Sequence, residues 1–259
     1  MTVRIESSAN AVYKHIKKLQ TKSGRSKYSQ YLAEGVRAVR DAASNGADIE
    51  FVIVCENFVS DFDLSGLKVY ELSTGLFDTL KLTVNSQGIM AVINFSLADV
   101  ESADFSDMNT VVYLDSVTDP GNMGTIIRSC DALGADAIVL SKGCVDIFNP
   151  KVVRSTMASI HNIPIYTDTT PEESFSKLKN DGFCVVGTFP TGATMCHKLN
   201  YSGKTLVVMG NEANGISDKV EALCDKRATI PMLGRAESLN VATALTVMLY
   251  EIMRNRIDN

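Results

Sequence analysis

Three short stretches of this chain set chemistry-bearing side chains beside glycines, each where an apolar strand-like run gives way to a helical pattern. The first, Asp119-Pro120-Gly121-Asn122-Met123-Gly124-Thr125-Ile126-Ile127-Arg128, follows the run Val111–Leu114. Its Pro-Gly and second Gly permit a tight turn and close approach of another molecule to the backbone. Asn122 is placed to cap the coming helix, and Arg128 lies one helical turn beyond Gly124, on the side of the loop. The second, Gly210-Asn211-Glu212-Ala213-Asn214-Gly215, follows Leu206–Met209 and brackets a carboxylate between glycines. Such a carboxylate can serve chemistry or simply cap helix N–H groups. The third runs from Ile230-Pro231-Met232 to Ser238-Leu239-Asn240, with Ser238 a good N-cap for the last helix. No G-x-G-x-x-G occurs anywhere, so the dinucleotide fingerprint is absent. Taken singly, the first stretch reads best as a capped helix with a surface Arg.

The elements that must carry these loops alternate. From residue 110 onward, strands are expected at Thr110–Leu114, Ala137–Leu140, Ile163–Tyr166, Phe183–Thr188, Leu206–Gly210 and Ala228–Met232. Helices are expected near Thr125–Leu133, Pro150–Ser159, Pro171–Lys179, Ile216–Leu223 and Leu239–Ile257. Short strands separated by amphipathic helices argue a parallel, helix-covered sheet, which binds ligands beyond the C-terminal ends of its strands. The last helix is apolar nearly all round, so it should be buried, and it can supply a subunit interface. Residues 96–108 lack periodicity and read as a linker between domains 1–98 and 107–259. The first domain reads as a small α/β unit. Ser7 or Ser8 caps a helix with Val12, Ile16 and Leu19 inward; 21–29 is a polar loop; a second helix spans about Tyr31–Ser44. Strands follow at Glu50–Cys55, Val69–Leu72 and Gly88–Phe95, with a short helix around Gly75–Leu82.

Composition bounds the class. The 259 residues are 45% hydrophobic and 21% charged, which is ordinary globular usage and excludes a disordered or collagenous chain. No apolar run approaches the ~18 residues of a membrane span. The first ten residues hold no apolar signal core, so a cytoplasmic protein is expected. Six scattered cysteines include no C-x-x-C, and His15, His161 and His197 are not at metal-ligand spacing, so neither disulfides nor a metal is expected. The net charge of −5 is unevenly spread. Residues 1–40 carry nine Lys/Arg against two acids, a net of +7, leaving −12 for the remainder. A basic segment on an acidic body suits a polyanionic partner, or is a solvated helix face.

Together the three stretches resemble the SpoU/TrmH family of RNA 2′-O-ribose methyltransferases, within the SPOUT superfamily. The pattern N-x-G-x-x-x-R, then G-N-E-x-x-G, then I-P-M followed by S-L-N is supplied by Asn122/Gly124/Arg128, Gly210/Asn211/Glu212/Gly215, and Ile230-Pro231-Met232 with Ser238-Leu239-Asn240. The likeness extends to Asn149-Pro150-Lys151 and Arg154-Ser155-x-Met157; Ala213 departs, where many relatives carry Gly. The N-terminal unit is similar to the α/β substrate-binding domain related to kink-turn-binding ribosomal proteins, through Asn10, Lys17, Arg25, Lys27 and Tyr31-Leu32-Ala33-Glu34-Gly35.

The resemblance implies an α/β fold whose C-terminal domain is tied in a trefoil knot, beside a smaller N-terminal RNA-binding domain. It implies S-adenosylmethionine as cofactor, held by Thr188, Gly210, Ile230, Met232 and Leu239. Catalysis would fall to Asn122, Arg128, Glu212, Ser238 and Asn240. RNA, ribosomal rather than transfer, would meet Lys17, Lys18, Arg25 and Lys27, and a homodimer through the C-terminal domain would bring Arg128 to the partner's cofactor. A resistance-type rRNA methyltransferase would share these motifs. The rival of another class is a non-catalytic RNA-binding or ribosome-assembly protein on the same fold; intact Asn122, Arg128, Glu212 and Asn240 weigh against it. A Rossmann oxidoreductase, lacking its fingerprint, comes third.

Overall fold

Two sheets organise the described residues of this computed structural model, 2–168 and 170–257. Each belongs to one of two compact units: Met1–Ser96 with Asp146–Asn162, and Leu97–Val145 with Ile163–Asn259. In the first unit, β1 (Thr2–Ile5), β2 (Gln30–Glu34), β3 (Ile49–Cys55), β4 (Val69–Leu72) and β5 (Ile89–Asn94) lie in the order β1-β4-β3-β5-β2. The first three strands in that order are mutually parallel, and β5 runs antiparallel to both its neighbours. The helices α1 (Ala11–Leu19), α2 (Lys22–Tyr28), α3 (Val36–Ser44) and α4 (Thr74–Asp78) complete this part. Ile16 and Leu19 of α1 pack with Leu32, Ile53, Leu72 and Phe77 in one core.

Three expectations fail here, each for a physical reason. The first helix is capped by Asn10, whose Oδ1 accepts from Val12 N at 2.8 Å, and not by Ser7 or Ser8. Residues 21–29 are not a loop, because Thr21 Oγ1 caps α2 by accepting from Gly24 N at 3.1 Å and Ser29, with φ 51°, ends it. The helix looked polar because its large buried side chain is the charged Arg25. Residues 31–34 are strand rather than helix. Tyr31, Leu32 and Ala33 are buried in succession, as a strand covered on both faces requires, and α3 begins only at Val36.

The second unit carries an eight-stranded sheet whose pairings among the described residues are all parallel. Along the chain it contains β6 (Ala98–Asp99), β7 (Thr110–Leu114), α5 (Pro120–Ala132) and β8 (Ala137–Leu140). After α6 (Pro150–Ser155), which belongs to the first unit, come β9 (Ile165–Thr167), α7 (Pro171–Asn180), β10 (Cys184–Thr188) and β11 (Thr194–Met195). Last are β12 (Thr205–Met209), α8 (Asp218–Glu221), β13 (Lys226–Thr229) and α9 (Val241–Ile257). The strand order is β11-β13-β10-β12-β7-β8-β9-β6. Every residue of β7, β8 and β12 is buried, as expected for central parallel strands covered by helices. The parallel sheet read from the alternation is therefore present. The expected linker 96–108 is not featureless, since β6 pairs with β9 and so adds an edge strand.

Helix α9 buries Val241, Ala242, Leu245, Met248, Leu249 and Ile252, but it is not buried all round: Tyr250 is 53% exposed. It packs along α5, where Ser129 Oγ and Thr246 Oγ1 are 2.8 Å apart. At its far end Arg256 donates to the carbonyls of Asn109 (2.9 Å) and Gly203 (3.2 Å) and to Thr110 Oγ1, fixing the helix against the starts of β7 and β12.

Segment 146–162 lies inside the span read as the second domain, yet packs with the first unit. Phe148 stacks on Phe95 and Tyr31 at centroid distances of 3.8 and 4.8 Å. Arg25 Nη2 and Nε donate to Asp146 Oδ2 at 2.6 and 3.0 Å, and Nη1 donates to the Leu19 and Gln20 carbonyls.

Candidate active site

Strands β13, β10, β12 and β7 are neighbours, and the loops leaving their C-terminal ends enclose a cavity of about 760 Å³. That is within the ~300–1,000 Å³ of small-ligand pockets. The loop after β12 closes on itself, Asn211 and Gly215 exchanging both backbone hydrogen bonds at 2.9 Å. A Cβ on Gly210 would lie 2.1 Å from the Gly215 carbonyl carbon, so only glycine lets this loop fold so tightly. All five residues expected to hold the cofactor, Thr188, Gly210, Ile230, Met232 and Leu239, line the cavity. Of the five expected catalytic residues, Asn122, Glu212, Ser238 and Asn240 line it too.

Three of those four are joined in a directed chain. Asn122 Nδ2 donates to Glu212 Oε1 at 3.1 Å, and Asn240 Nδ2 donates to Asn122 Oδ1 at 2.9 Å. Asn240 Oδ1 in turn accepts from Ala242 N at 3.0 Å and Thr243 N at 3.4 Å. Both ends dictate this direction. A carboxylate only accepts and helix N–H groups only donate, so each amide between them has one permitted orientation. Glu212 also accepts from Asp119 N (3.1 Å), Thr118 N (3.3 Å) and Thr118 Oγ1 (3.4 Å). Burial acts to raise its pKa, but the bonds from the Asn122 side chain, its own amide and the Asp119 and Thr118 amides outweigh that and hold it below the ordinary glutamate value.

Two capping expectations are corrected. The N-cap of α5 is Asp119, whose Oδ1 accepts from Asn122 N at 2.8 Å, with Pro120 at the next position. Asn122 is thereby freed for Glu212 and Asn240. The cap of α9 is Asn240 rather than Ser238. Asp119 and Thr118 went unread as site residues, although an Asp-Pro pair opening a helix is a start signal.

Arg128 stands apart from its own chain's cavity. It is exposed on α5, does not line the cavity, and makes no hydrogen bond or ion pair to the described residues. Lys17 and Lys18 on α1 and Lys27 on α2 are exposed. Arg25 is not available to RNA: it is 4% exposed and its donors are committed to Asp146 and two carbonyls. This corrects its assignment as a phosphate contact.

The cavity lining also has a charge character. Four carboxylates, Glu212, Asp218, Glu221 and Glu237, face it, and among the described residues no Lys, Arg or His does. Glu221 is paired with Arg227, whose guanidinium lies 3.8 Å over the Phe189 ring. Such a lining repels phosphates and attracts a cation, which fits the sulfonium and ammonium of S-adenosylmethionine. Apolar walls from Phe189, Ile230, Met232 and Leu239 complete a pocket suited to a nucleoside. Among the described residues no group of three or more His, Cys, Asp or Glu is placed to hold a metal ion.

A parallel, helix-covered sheet with an acidic cavity at its strand ends, bridged by a Glu–Asn–Asn chain, defines a SPOUT-type RNA methyltransferase. Residues 109–250 match the SpoU rRNA Methylase family, and residues 10–91 match the MRM3-like substrate binding domain. The chain belongs to the SpoU rRNA methylase family. It is 33% identical over 250 residues to the 23S rRNA (guanosine(2553)-2'-O)-methyltransferase RlmP of Bacillus subtilis (strain 168), covering 96% of this chain and 98% of that one. An AdoMet-bound rRNA methyltransferase from Sinorhizobium meliloti matches with TM-score 0.86 and 30% identity, over 98% of each chain. The SpoU methyltransferase AviRb from Streptomyces viridochromogenes, in complex with AdoMet, matches with TM-score 0.85 and 27% identity, over 96% of this chain and 100% of that one.

Proposed function

We propose that this protein transfers a methyl group from S-adenosylmethionine to a ribose 2′-hydroxyl of ribosomal RNA. The carrying observation is the chain Glu212–Asn122–Asn240 lining an acidic cavity. A binding or assembly protein on this fold has no need of such a network. The rRNA substrate is supported by the relatives named above and by the match at residues 10–91.

The cofactor supplies a methyl group on a sulfonium, a leaving group that needs no protonation. The protein's tasks are therefore to align a ribose hydroxyl and to ease loss of its proton. Glu212 fixes Asn122, and Asn122 fixes Asn240, so that the three loops hold one arrangement. Ser238, two residues before Asn240 and exposed in the same cavity, presents a hydroxyl to the incoming ribose. The bound cofactor would supply the methyl to the 2′-oxygen and leave as the neutral thioether, while the hydroxyl proton, passing to an adjacent RNA phosphate or to water, would leave partial negative charge on that oxygen. A guanidinium stays protonated throughout, so the part of Arg128 is electrostatic: a fixed cation beside that oxygen or its phosphate.

In this reading Arg128 serves the cavity of a partner protomer, and the protein acts as a homodimer through its C-terminal domain. Its exposure, its lack of partners among the described residues and its absence from its own cavity support that assignment. The half-exposed Tyr250 on α9, packed along α5, is consistent with an interface there. Membership of the family matched by residues 109–250 supports a trefoil knot in the C-terminal domain. Lys17, Lys18 and Lys27 would position the RNA through phosphates. Mapping 2′-O-methyl sites in rRNA from cells with and without the gene tests the substrate: one ribose position is expected to lose its methyl. An unchanged rRNA map together with a lost tRNA methyl would assign the other substrate.

A further inference from the structure

A backbone reversal just after β7 lies outside all three motifs. Ser116 has φ 59°, in the left-handed region that a residue with a Cβ seldom enters. Its surroundings hold it there. Ser116 N donates to Ser141 Oγ at 2.8 Å, and its carbonyl accepts from Asn211 Nδ2 at 2.7 Å. The next carbonyl, that of Val117, accepts from Val145 N at 2.9 Å. Between these bonds Gly143 lies flat against Ser116: a Cβ there would sit 2.3 Å from Ser116 Oγ, 2.8 Å from its Cβ and 3.3 Å from its Cα. Segment 141–145, leaving β8, is thus a mould for residues 115–117.

The product of that mould is the cup that holds Glu212. Thr118 N, Thr118 Oγ1 and Asp119 N, the donors to the Glu212 carboxylate, belong to the residues directly after the reversal. Neither Ser141 nor Gly143 lines the cavity. Backbone strain that the surroundings over-determine is a mark of functional sites, and here the strained residue lies two positions from the groups it aims.

We infer that Ser141 and Gly143 are positioning residues for methyl transfer, holding Ser116 in the left-handed turn that points the Thr118 and Asp119 amides at Glu212. The inference rests on the reading of Glu212 as part of the catalytic network.

Gly143→Ala tests it. The Ser116 hydroxyl can swing aside, but its Cβ and Cα cannot, so the turn must shift. In the full-length protein kcat is expected to fall roughly 100-fold, the effect of a displacement of about 1 Å at a catalytic group. The Kd for S-adenosylmethionine, measured by calorimetry, should stay within about twofold, because neither Ser141 nor Gly143 lines the cavity and the cofactor-holding positions Thr188, Ile230, Met232 and Leu239 lie on other loops. Adding Ser116→Gly removes the two closest atoms and places a residue suited to positive φ, so the double variant should recover to the level of Ser116→Gly alone. If Gly143→Ala does not fold, Ser141→Ala, which deletes an acceptor without adding volume, should lower kcat in the same direction with cofactor affinity kept. Full activity in the Gly143 variant, or in the Ser141 variant where it stands in, overturns the inference. So does a loss that Ser116→Gly leaves unrepaired, or a loss of cofactor binding equal to the loss of kcat. Glu212→Gln is run beside them. If it is inactive while Gly143→Ala is fully active, this inference alone falls; if Glu212→Gln is itself fully active, the catalytic reading falls.

Discussion

Asn122 donates to Glu212 at 3.1 Å, and that bond decides the orientation of every amide behind it. Because the carboxylate accepts only, Asn122 must turn its oxygen toward Asn240, which must then turn its own oxygen to the N-terminus of α9. One charge on the loop after β12 thereby sets two side chains on loops that lie 90 and 28 residues away in sequence.

Asn122→Asp should break this chain at its first link. The new carboxylate would face Glu212 at hydrogen-bonding distance with no proton to offer, and like charges so placed repel. We expect kcat to drop by about two orders of magnitude, as for other misplaced catalytic groups, with cofactor affinity nearly kept. Single-turnover methyl transfer and calorimetry check the two halves of that statement.

The network should also carry a pH signature. Glu212 has its pKa lowered in the folded protein, so the stability it contributes is fully present above the unfolded-state value and is lost as pH falls through the folded one. The difference in Tm between the natural protein and Glu212→Gln should therefore be level from neutral pH to about 5 and shrink below the unfolded value of ~4.3. A difference that grows on acidification would contradict the direction of the shift.

Arg25→Ala should act on stability and not on RNA. Its side chain is 5% exposed and that of Asp146 16%, so deleting one partner leaves a buried charge, at about 3 kcal/mol. Urea denaturation measures this. The salt dependence of rRNA affinity should not change.

Lys17→Ala and Lys18→Ala should behave in the opposite way. Each is expected to weaken rRNA binding uniformly and to reduce the slope of log affinity against log salt by roughly one, leaving stability unchanged. A slope that responds to Arg25→Ala instead would return that residue to the phosphate contacts.

The sequence exposed the site more fully than the scaffold beneath it. Asn122, Glu212, Asn240 and Gly210 were readable because each sits where the chain passes from a strand towards a helix, and polar residues and glycines at such junctions seldom serve packing. Strands Val69–Leu72, Thr110–Leu114 and Ala137–Leu140 stand where the apolar runs put them, since strands buried on both faces advertise themselves. What stayed hidden depends on distant partners. Arg25 looked like an RNA contact because nothing local reveals Asp146, 121 residues on. Leu32, Val36 and Val39 mimic a helical stripe, yet Leu32 belongs to a strand whose pairing with Val92 no local pattern announces. The Glu212 cup depends on backbone N–H groups and a left-handed Ser116, which side-chain identity does not encode.

If Arg128 serves the partner's cavity, two inactive variants should complement. Arg128→Ala and Asn240→Ala mixed in equal amounts, after subunit exchange, should regain about a quarter of the natural activity, since half of the dimers then hold one intact site. No recovery would place Arg128 in its own chain's site.

The most direct test of the central claim is transfer of labelled methyl from S-adenosylmethionine to bulk 23S rRNA by the purified protein, followed by alkaline hydrolysis. We predict incorporation into an alkali-resistant dinucleotide, because methylation removes the 2′-hydroxyl that hydrolysis requires. Arg128→Ala should abolish it while S-adenosylmethionine still binds. Label on a base, or none on rRNA or tRNA from a protein that binds both cofactor and RNA, would contradict the account.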